Sequence, residues 1–254
     1  MKTEWDYTDL ADAYLKRPDY SNDAIEKMLS IAGIKKGDKV CDVGAGAAHL
    51  TLKLAEAQFN VCAVEPNDAM RANGKKRTEK YKNVRWFEGI GEKTDMKSDA
   101  FDMVTFGSSF NVCDRQLALI ETERILKDGG WFACMWNHRD LTDPLQKKIE
   151  ELLESEIDDF SYGTRREEQT EVIKESGLFT MPIYVEGCVI HTISAEDFIE
   201  GFKSHGTIAR QAGDKFESII EKIRNIVMEE KKEFIEVPYT TRIWMAQAAK
   251  ECFF

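Results

Sequence analysis

The stretch VCDVGAGAAHL, residues 40–50, runs from an apolar segment through glycines into a helix-like sequence, and its reading decides the fold. A glycine-rich turn between strand and helix lets the backbone approach a ligand closely, and the helix start beyond it offers free N–H groups. A tight βα turn with no ligand has the same outline, so its surroundings must arbitrate. From Lys39 onward short apolar runs alternate with amphipathic stretches: VCDVG then HLTLKLAEA, VCAVE then AMRANGKKRTEKY, VRWFEG, FDMVTFG then RQLALIETERILK, and WFACMWN. That alternation predicts an α/β fold, a doubly wound and mostly parallel sheet with right-handed crossovers.

Two acids flank the turn. Asp42 stands two residues before Gly44 at the carboxyl end of the first strand, where open α/β sheets bind ligands, and a carboxylate there suits a cationic group. Glu65 closes the second strand, the place from which an acid reaches ribose hydroxyls. A dinucleotide fingerprint G-x-G-x-x-G/A, counted from Gly44 and Gly46, would put His49 at its last position, which argues against NAD.

Outside this core, Asn22–Ala32 carries apolar residues at helical spacing and stops at Gly33. After Asn137 come the helix-like LQKKIEELLESEI and EQTEVIKESG, the strand-like IYVEGCVIHTI, helical stretches over 196–205 and 214–232, and a final VPYTTRIWMAQA. The late helices are expected to cover one edge or the mouth of the sheet. The chain has 254 residues, 43% hydrophobic, and a formal charge of −11, so a substantial core is available and a polyanion would be repelled. Its six cysteines form no CxxC pair and fall mostly in strand-like runs, as reduced buried thiols do. The first residues, MKTEWDYTDLADAYLKRPDYS, lack an apolar h-region, and no run of about 18 apolar residues occurs. The expectation is a cytoplasmic protein, monomer or homodimer, with no membrane or nucleic-acid partner.

The spacing around the turn resembles the D/E-x-G-x-G-x-G motif of class I S-adenosylmethionine-dependent methyltransferases, in particular the small-molecule, methyltransferase type 11-like subgroup. Asp42, Gly44 and Gly46 match, and Ala48 departs by one methyl group. The resemblance is closest over residues 11–140 and implies a Rossmann-like, seven-stranded sheet with helices on both faces, an N-terminal lid and a helical cap. It implies S-adenosyl-L-methionine as cofactor and S-adenosyl-L-homocysteine as product. Asp42, Gly44, Ala45 and Gly46 would hold the cofactor, with Glu65 and Pro66 at the ribose and Met70 against adenine. FEGIGEKT looks like the adenine-flanking segment, read through the backbone of Ile90 and Gly91. TFGSSFNVCD places Ser108 and Phe110 at the cofactor and Asn111 at the substrate, without the His that many members carry there. ERILKDGGWFACMW is similar to the family's helix, glycine turn and fifth strand, in which Gly129 and Gly130 are structural. The layout is then one domain over 1–254, with a lid and helix (1–35), a cofactor-binding core (36–140), and cap elements with closing strands (141–254).

The N-terminal DLADAYLKRPDY resembles a subgroup whose Tyr, Arg-Pro, Tyr segment folds over cofactor and acceptor; Tyr14, Arg17 and Tyr20 match, and Tyr7 joins them. Pro18 also disfavours helix at Arg17 on local grounds. Arg17 either pairs with a carboxylate of cofactor or substrate or is a solvated arginine. Tyr162, Arg165, Arg166, Tyr239 and Arg242 are either a charged loop and closing strand or a pocket for an anionic small molecule.

The family reaction is an in-line displacement that requires mainly alignment and a suitable electrostatic setting. A general base is needed only where the acceptor must lose a proton. Of the four histidines, His138 after the fifth strand and His205 before a cap helix are best placed for that task; His49 follows the glycine turn and His191 lies in a strand. No acid cluster suggests a metal. The expected function is methyl transfer to a small metabolite. The alternatives are an RNA or protein methyltransferase, disfavoured by the charge and by GSSF at 107–110 in place of [DN]-P-P-[YFW], and a cofactor-binding sensor.

Overall fold

A computed structural model describes residues 8–203 and 205–250. The strand-like runs become β1 (Lys39–Val43), β2 (Asn60–Val64), β3 (Val84–Phe87), β4 (Phe101–Gly107), β5 (Leu126–Arg139), β6 (Ile183–Ser194) and β7 (Phe234–Gln247). They form one sheet in the order β3-β2-β1-β4-β5-β7-β6. The β1–β2, β1–β4, β2–β3 and β4–β5 pairs are parallel, whereas β7 runs antiparallel to β5 and β6. The helices are α1 (Ala11–Tyr14), α2 (Asn22–Ala32), α3 (His49–Glu56), α4 (Asp68–Thr78), α5 (Arg115–Ile125), α6 (Pro144–Glu156), α7 (Thr170–Glu175), α8 (Ala195–Lys203), α9 (Gly206–Ala212) and α10 (Phe216–Glu229). None of them, among the described residues, is long and apolar enough to cross a membrane.

The inner strands β1, β4 and β5 are buried on both faces because they are apolar at successive positions, as parallel strands between helical layers are, whereas the edge strands β3 and β6 are largely exposed. Cys41, Val43, Val104, Phe106, Phe132 and Trp244 point into one core with α5 and α7. Val40, Met103, Ala133, Met135, Ile243 and Met245 point into the opposite core with α2 and α3. A third core joins α6, α8, α9 and α10 to the start of β7 through Ile235 and Val237. That third cluster is the expected cap, seated beyond the carboxyl end of β5.

Several boundaries differ from the sequence reading. The run expected as helix to Lys127 ends at Ile125, since Leu126 turns extended (ψ 145°) and pairs with Phe101 of β4. The DGG segment then enters β5; Gly129 has φ +69°, and a side chain on Gly130 would meet the Lys127 carbonyl at 3.0 Å, so both glycines serve the backbone. Between the two late helices expected over 196–205 and 214–232 the structure holds an additional short helix, α9, which ends at Gly213 (φ +51°). Helix α2 runs over the predicted residues, with the Ser21 hydroxyl accepting from the Ala24 amide and Gly33 left-handed at its end.

Helix α4 lies tight against the glycine turn. A Cβ on Gly74 would overlap the Trp86 ring and stand 2.9 Å from the carbonyl oxygen of Gly46. Gly74→Ala therefore sets a gain in helix propensity of about 1 kcal/mol against an overpacking cost of roughly 1–3 kcal/mol or more. We expect packing to win and thermal denaturation to give a Tm lower by roughly 2–6 °C; an unchanged or higher Tm would mean that α4 can move away from the turn.

Candidate active site

The turn after β1 is built from the bottom by Asp42. Its carboxylate, 1% exposed, accepts hydrogen bonds from the Thr51 hydroxyl of α3 (2.6 Å) and the Thr105 hydroxyl of β4 (3.0 Å). Burial pushes its pKa up to about 6 in spite of those two bonds. Above it the backbone takes left-handed values at Gly44 (φ +66°) and Gly46 (φ +53°), and a side chain on Gly44 would collide with Ser109. Ser109 in turn donates to the Val43 carbonyl (2.6 Å), locking the turn to the end of β4. Ala48, where the motif has its last glycine, is also left-handed (φ 71°), a conformation that costs an L-residue on the order of 1–2 kcal/mol. This conformation is the physical reason for a glycine in the pattern, and the alanine adopts it without changing the turn.

The amides of this turn are occupied. Gly44 and Ala45 donate to the Val64 carbonyl at 2.8 and 3.0 Å, and Gly46 donates to the Glu65 carboxylate at 2.9 Å. The second Glu65 oxygen accepts from the Asn67 amide at 2.8 Å. A ligand would thus meet close backbone surface and carboxylate lone pairs here rather than free N–H groups. Met70 of α4 reaches across, its Cε 3.1 Å from where a Cβ on Gly46 would lie.

A cleft lies beside the turn, lined on one side by Asp42, Gly44, Ala45 and Gly46 and on the other by Asn137, His138 and Arg139. It encloses about 880 Å³, counting the solvent at its mouth. Tyr14, Arg17, Tyr20, Ser108, Tyr162 and His205 complete much of the wall, so the sheet brings together residues called from four separate stretches of sequence. Tyr20 and Ser108 share a hydrogen bond of 2.9 Å, and burial raises the Tyr20 phenol above its ordinary value, which keeps it neutral.

Residues 8–20 cross the carboxyl ends of the strands as a roof. Arg17 lies over the Tyr14 ring at 4.1 Å, just before the break at Pro18. His49 holds the roof from below, with Nδ1 2.9 Å from Asp19 Oδ1 and Nε2 3.1 Å from the Tyr14 carbonyl. Asn137 donates to the carbonyls of Pro18 and Asp19, Asn73 to that of Ala11, and Lys16 pairs with Asp197 of α8 at 2.6 Å.

Other candidates stand elsewhere. Phe110 is wholly buried among Phe106 and Phe132, each 5.4 Å away, and is a core residue. Asn111 accepts from the Trp136 indole at 2.9 Å. Ile90 uses both its amide and its carbonyl on Lys93 (3.1 Å each), and Gly91 packs on Cys113. Glu65, Pro66 and Met70 border the turn without lining the cleft. Arg242 pairs in the ladder with Trp136 and Glu186, away from the cleft. Tyr7 and the side chain of Arg165 lie outside the described residues.

The residue that sequence reasoning missed is Arg139. It ends β5, 9% exposed, and its Nη2 donates to the Tyr162 hydroxyl at 2.6 Å, which donates to Glu150 of α6 at 2.8 Å. Its position at the carboxyl end of a central strand, next to a called histidine, was the available signal.

The residues around the turn fit S-adenosylmethionine. Asp42 is a desolvated carboxylate lining the cleft and suits an ammonium, while Glu65 is fixed at the end of β2 with lone pairs left for hydroxyls. The strand order, the glycine turn and the two strand-end acids define a class I methyltransferase fold. Residues 22–154 match the model of the ubiE/COQ5 methyltransferase family, and the chain belongs to that family. It is 30% identical over 148 residues to an uncharacterized methyltransferase of Schizosaccharomyces pombe, covering 58% of each chain. It is 31% identical over 114 residues to the demethylmenaquinone methyltransferase of Staphylococcus aureus, covering 43% of this chain and 47% of that one. The chain thus spans about half the length of these relatives. Among solved structures, the YcgJ protein of Bacillus subtilis superposes with a TM-score of 0.55 at 16% identity, covering 91% of this chain and 100% of that one. Phosphoethanolamine N-methyltransferase 2 of Haemonchus contortus, solved with phosphomonomethylethanolamine and S-adenosylhomocysteine, gives 0.54 at 14% identity, covering 95% and 57%. At such identities the likeness is one of fold.

The raised pKa of Asp42 has a sign that can be checked. Its contribution to stability is fully present below the ordinary carboxylate value of 3.8 and is lost as pH rises through about 6. The change is on the order of 2–3 kcal/mol. Asp42→Asn should remove this dependence, so that the variant gains stability relative to the parent between about pH 4 and 6 in denaturant titrations. Calorimetry should also show S-adenosylhomocysteine binding to the parent weakening as the pH falls through that window, because the carboxylate is then neutral. Parallel pH curves for parent and variant would contradict this account of Asp42.

Proposed function

We propose that the chain transfers the methyl group of S-adenosylmethionine to a small-molecule acceptor bound in the roofed cleft. The observation that carries this reading is the single cleft joining the Asp42 turn to the far wall at Asn137–Arg139 beneath residues 14–20. A cleft closed by its own N-terminal segment admits a metabolite more readily than a folded macromolecule, and the charge of −11 opposes nucleic acid.

Bound S-adenosylmethionine supplies a sulfonium-activated methyl group, so the chain's own work is alignment and exclusion of water. Asp42 offsets a cationic group at the turn, and Glu65, held by two backbone amides, presents a fixed acceptor for hydroxyls. The roof, tied down by His49, Asn137 and the Lys16–Asp197 pair, keeps the reactants together and water out. The neutral Tyr20 phenol and Ser108 hydroxyl orient an acceptor atom through hydrogen bonds. Where the acceptor must lose a proton, His138 and His205 are the imidazoles on the acceptor side.

Labelled methyl from S-adenosylmethionine, offered with a cell extract, should appear in the small-molecule fraction. Label in RNA or protein would replace the acceptor class, and tight cofactor binding without any transfer would favour a sensor. Glu65→Gln, which removes the charge and leaves an acceptor for one of the two backbone amides, should weaken S-adenosylhomocysteine by about tenfold or more in calorimetry. Unchanged affinity would remove Glu65 from the cofactor site. Limited proteolysis around residues 8–20 should be suppressed by S-adenosylhomocysteine; an identical pattern with and without it would count against a closing roof.

A further inference from the structure

Arg139 is an unusual residue to find at the back of this cleft. It is nine-tenths buried, and every fixed contact around it acts to orient the guanidinium. One nitrogen donates to the Tyr162 hydroxyl at 2.6 Å, and that hydroxyl donates in turn to the Glu150 carboxylate at 2.8 Å. The guanidinium plane lies over the Phe202 ring of α8 at 4.9 Å and near the Tyr162 ring at 5.8 Å. The other terminal nitrogen, Nη1, is buried and has no hydrogen-bond partner among the described residues. A buried charged donor left unpaired is costly, and a ligand acceptor would offset that cost. Arg139 forms part of the wall of the main cleft and also of a smaller side cavity, between Lys16–Pro18 and α8, that adjoins it.

The charge around it points the same way. In a chain of net charge −11, the described acceptor side of the cleft carries the guanidiniums of Arg17 and Arg139, and Asp42 at the opposite wall is the acid among the described lining residues. A guanidinium is always charged, presents its donors as a planar fork, and pairs with carboxylate or phosphate oxygens more tightly than with neutral groups. Stacking on Phe202 and the bond to Tyr162 have already fixed its rotamer, so little ordering remains when a ligand arrives.

We propose that Arg139 is the specificity anchor of the site and that the methyl acceptor carries an oxyanion, a carboxylate or a phosphate ester, which pairs with Nη1. The acceptor then lies with its charged end at the Tyr162–Arg139–Phe202 corner and its nucleophile toward the Asp42 turn. Tyr162 and Glu150 are positioning residues: they hold the fork and do not touch the acceptor. This inference deepens the methyl-transfer reading and rests on it for the direction in which the acceptor points.

The test uses the full chain saturated with S-adenosylhomocysteine, titrated with inorganic phosphate and, separately, acetate, against chloride at matched ionic strength. Saturable binding of at least one anion is expected, weakened by about tenfold or more in Arg139→Met and by less in Arg139→Lys, with S-adenosylhomocysteine affinity unchanged in both. Tyr162→Phe keeps the charge but frees the fork, and should weaken the anion by a smaller factor than Arg139→Met. Phosphate binding alone supports a phosphorylated acceptor, and acetate binding alone a carboxylate. The proposal falls if neither anion saturates the parent, or if Arg139→Met binds them as the parent does. Should the Met variant not fold, Arg139→Lys decides, with parent-like anion affinity overturning the proposal. A parent that binds anions through Arg139 but fails to bind S-adenosylhomocysteine would sink the methyltransferase reading and leave the anion site standing.

Discussion

The buried carboxylate of Asp42 is the point on which the remainder of the site rests. Its two hydroxyl partners come from α3 and β4, so one side chain joins the strand that carries it to the helix after the turn and to the next strand of the sheet. Ser109 adds a bond from the end of β4 to the Val43 carbonyl, and Arg77 of α4 donates to the Ala47 carbonyl at 2.6 Å. The glycine turn is therefore held from three directions. Its left-handed residues are tolerated because the surroundings over-determine them. The cost of keeping a carboxylate dry is what raises its pKa, and it is also what makes the site receptive to a cation.

From that fixed floor the roof and the cap follow. The segment over residues 8–20 has short helical turns that would not persist alone. It is held by side chains offered from below and from the sides: His49, Asn73, Asn137 and Asp197 each reach it from a different element. The cap helices have a core of their own and extend the wall of the cleft past the sheet. Arg139 sits where sheet and cap meet, with Tyr162, Glu150 and Phe202 all supplied by the cap side. The floor around Asp42 and the Asn137–Arg139 stretch both lie within residues 22–154, which match the family model, whereas Tyr162, Phe202 and His205 come from the region after it.

The strands, their alternation with helices and the Asp42, Gly44, Gly46 and Glu65 set were legible because each is a local pattern: period, turn chemistry and strand-end position act over a few residues. Helix α2 could be read to the residue because its cap and its stop lie in the same short stretch. The surroundings of Phe110 and Asn111 were not legible for a related reason. They follow the fourth strand at the right sequence distance, but the chain turns Phe110 into the aromatic core and gives Asn111 to Trp136. Arg139 escaped notice because its place at the end of β5 was the available signal, and sequence does not show whether an arginine there is buried or solvated.

By itself, then, the sequence determined the α/β alternation, a mostly parallel sheet and the acids at the ends of its first two strands, since backbone sterics and hydrophobic periodicity work between neighbours in the chain. Tertiary structure alone decided which side chains share the cleft. It set Tyr14 and Arg17 above the turn, closed His49 onto Asp19, and brought Tyr162, Glu150 and Phe202 around Arg139. Those contacts span tens of residues and depend on how the cap core packs, a quantity no short window of sequence contains.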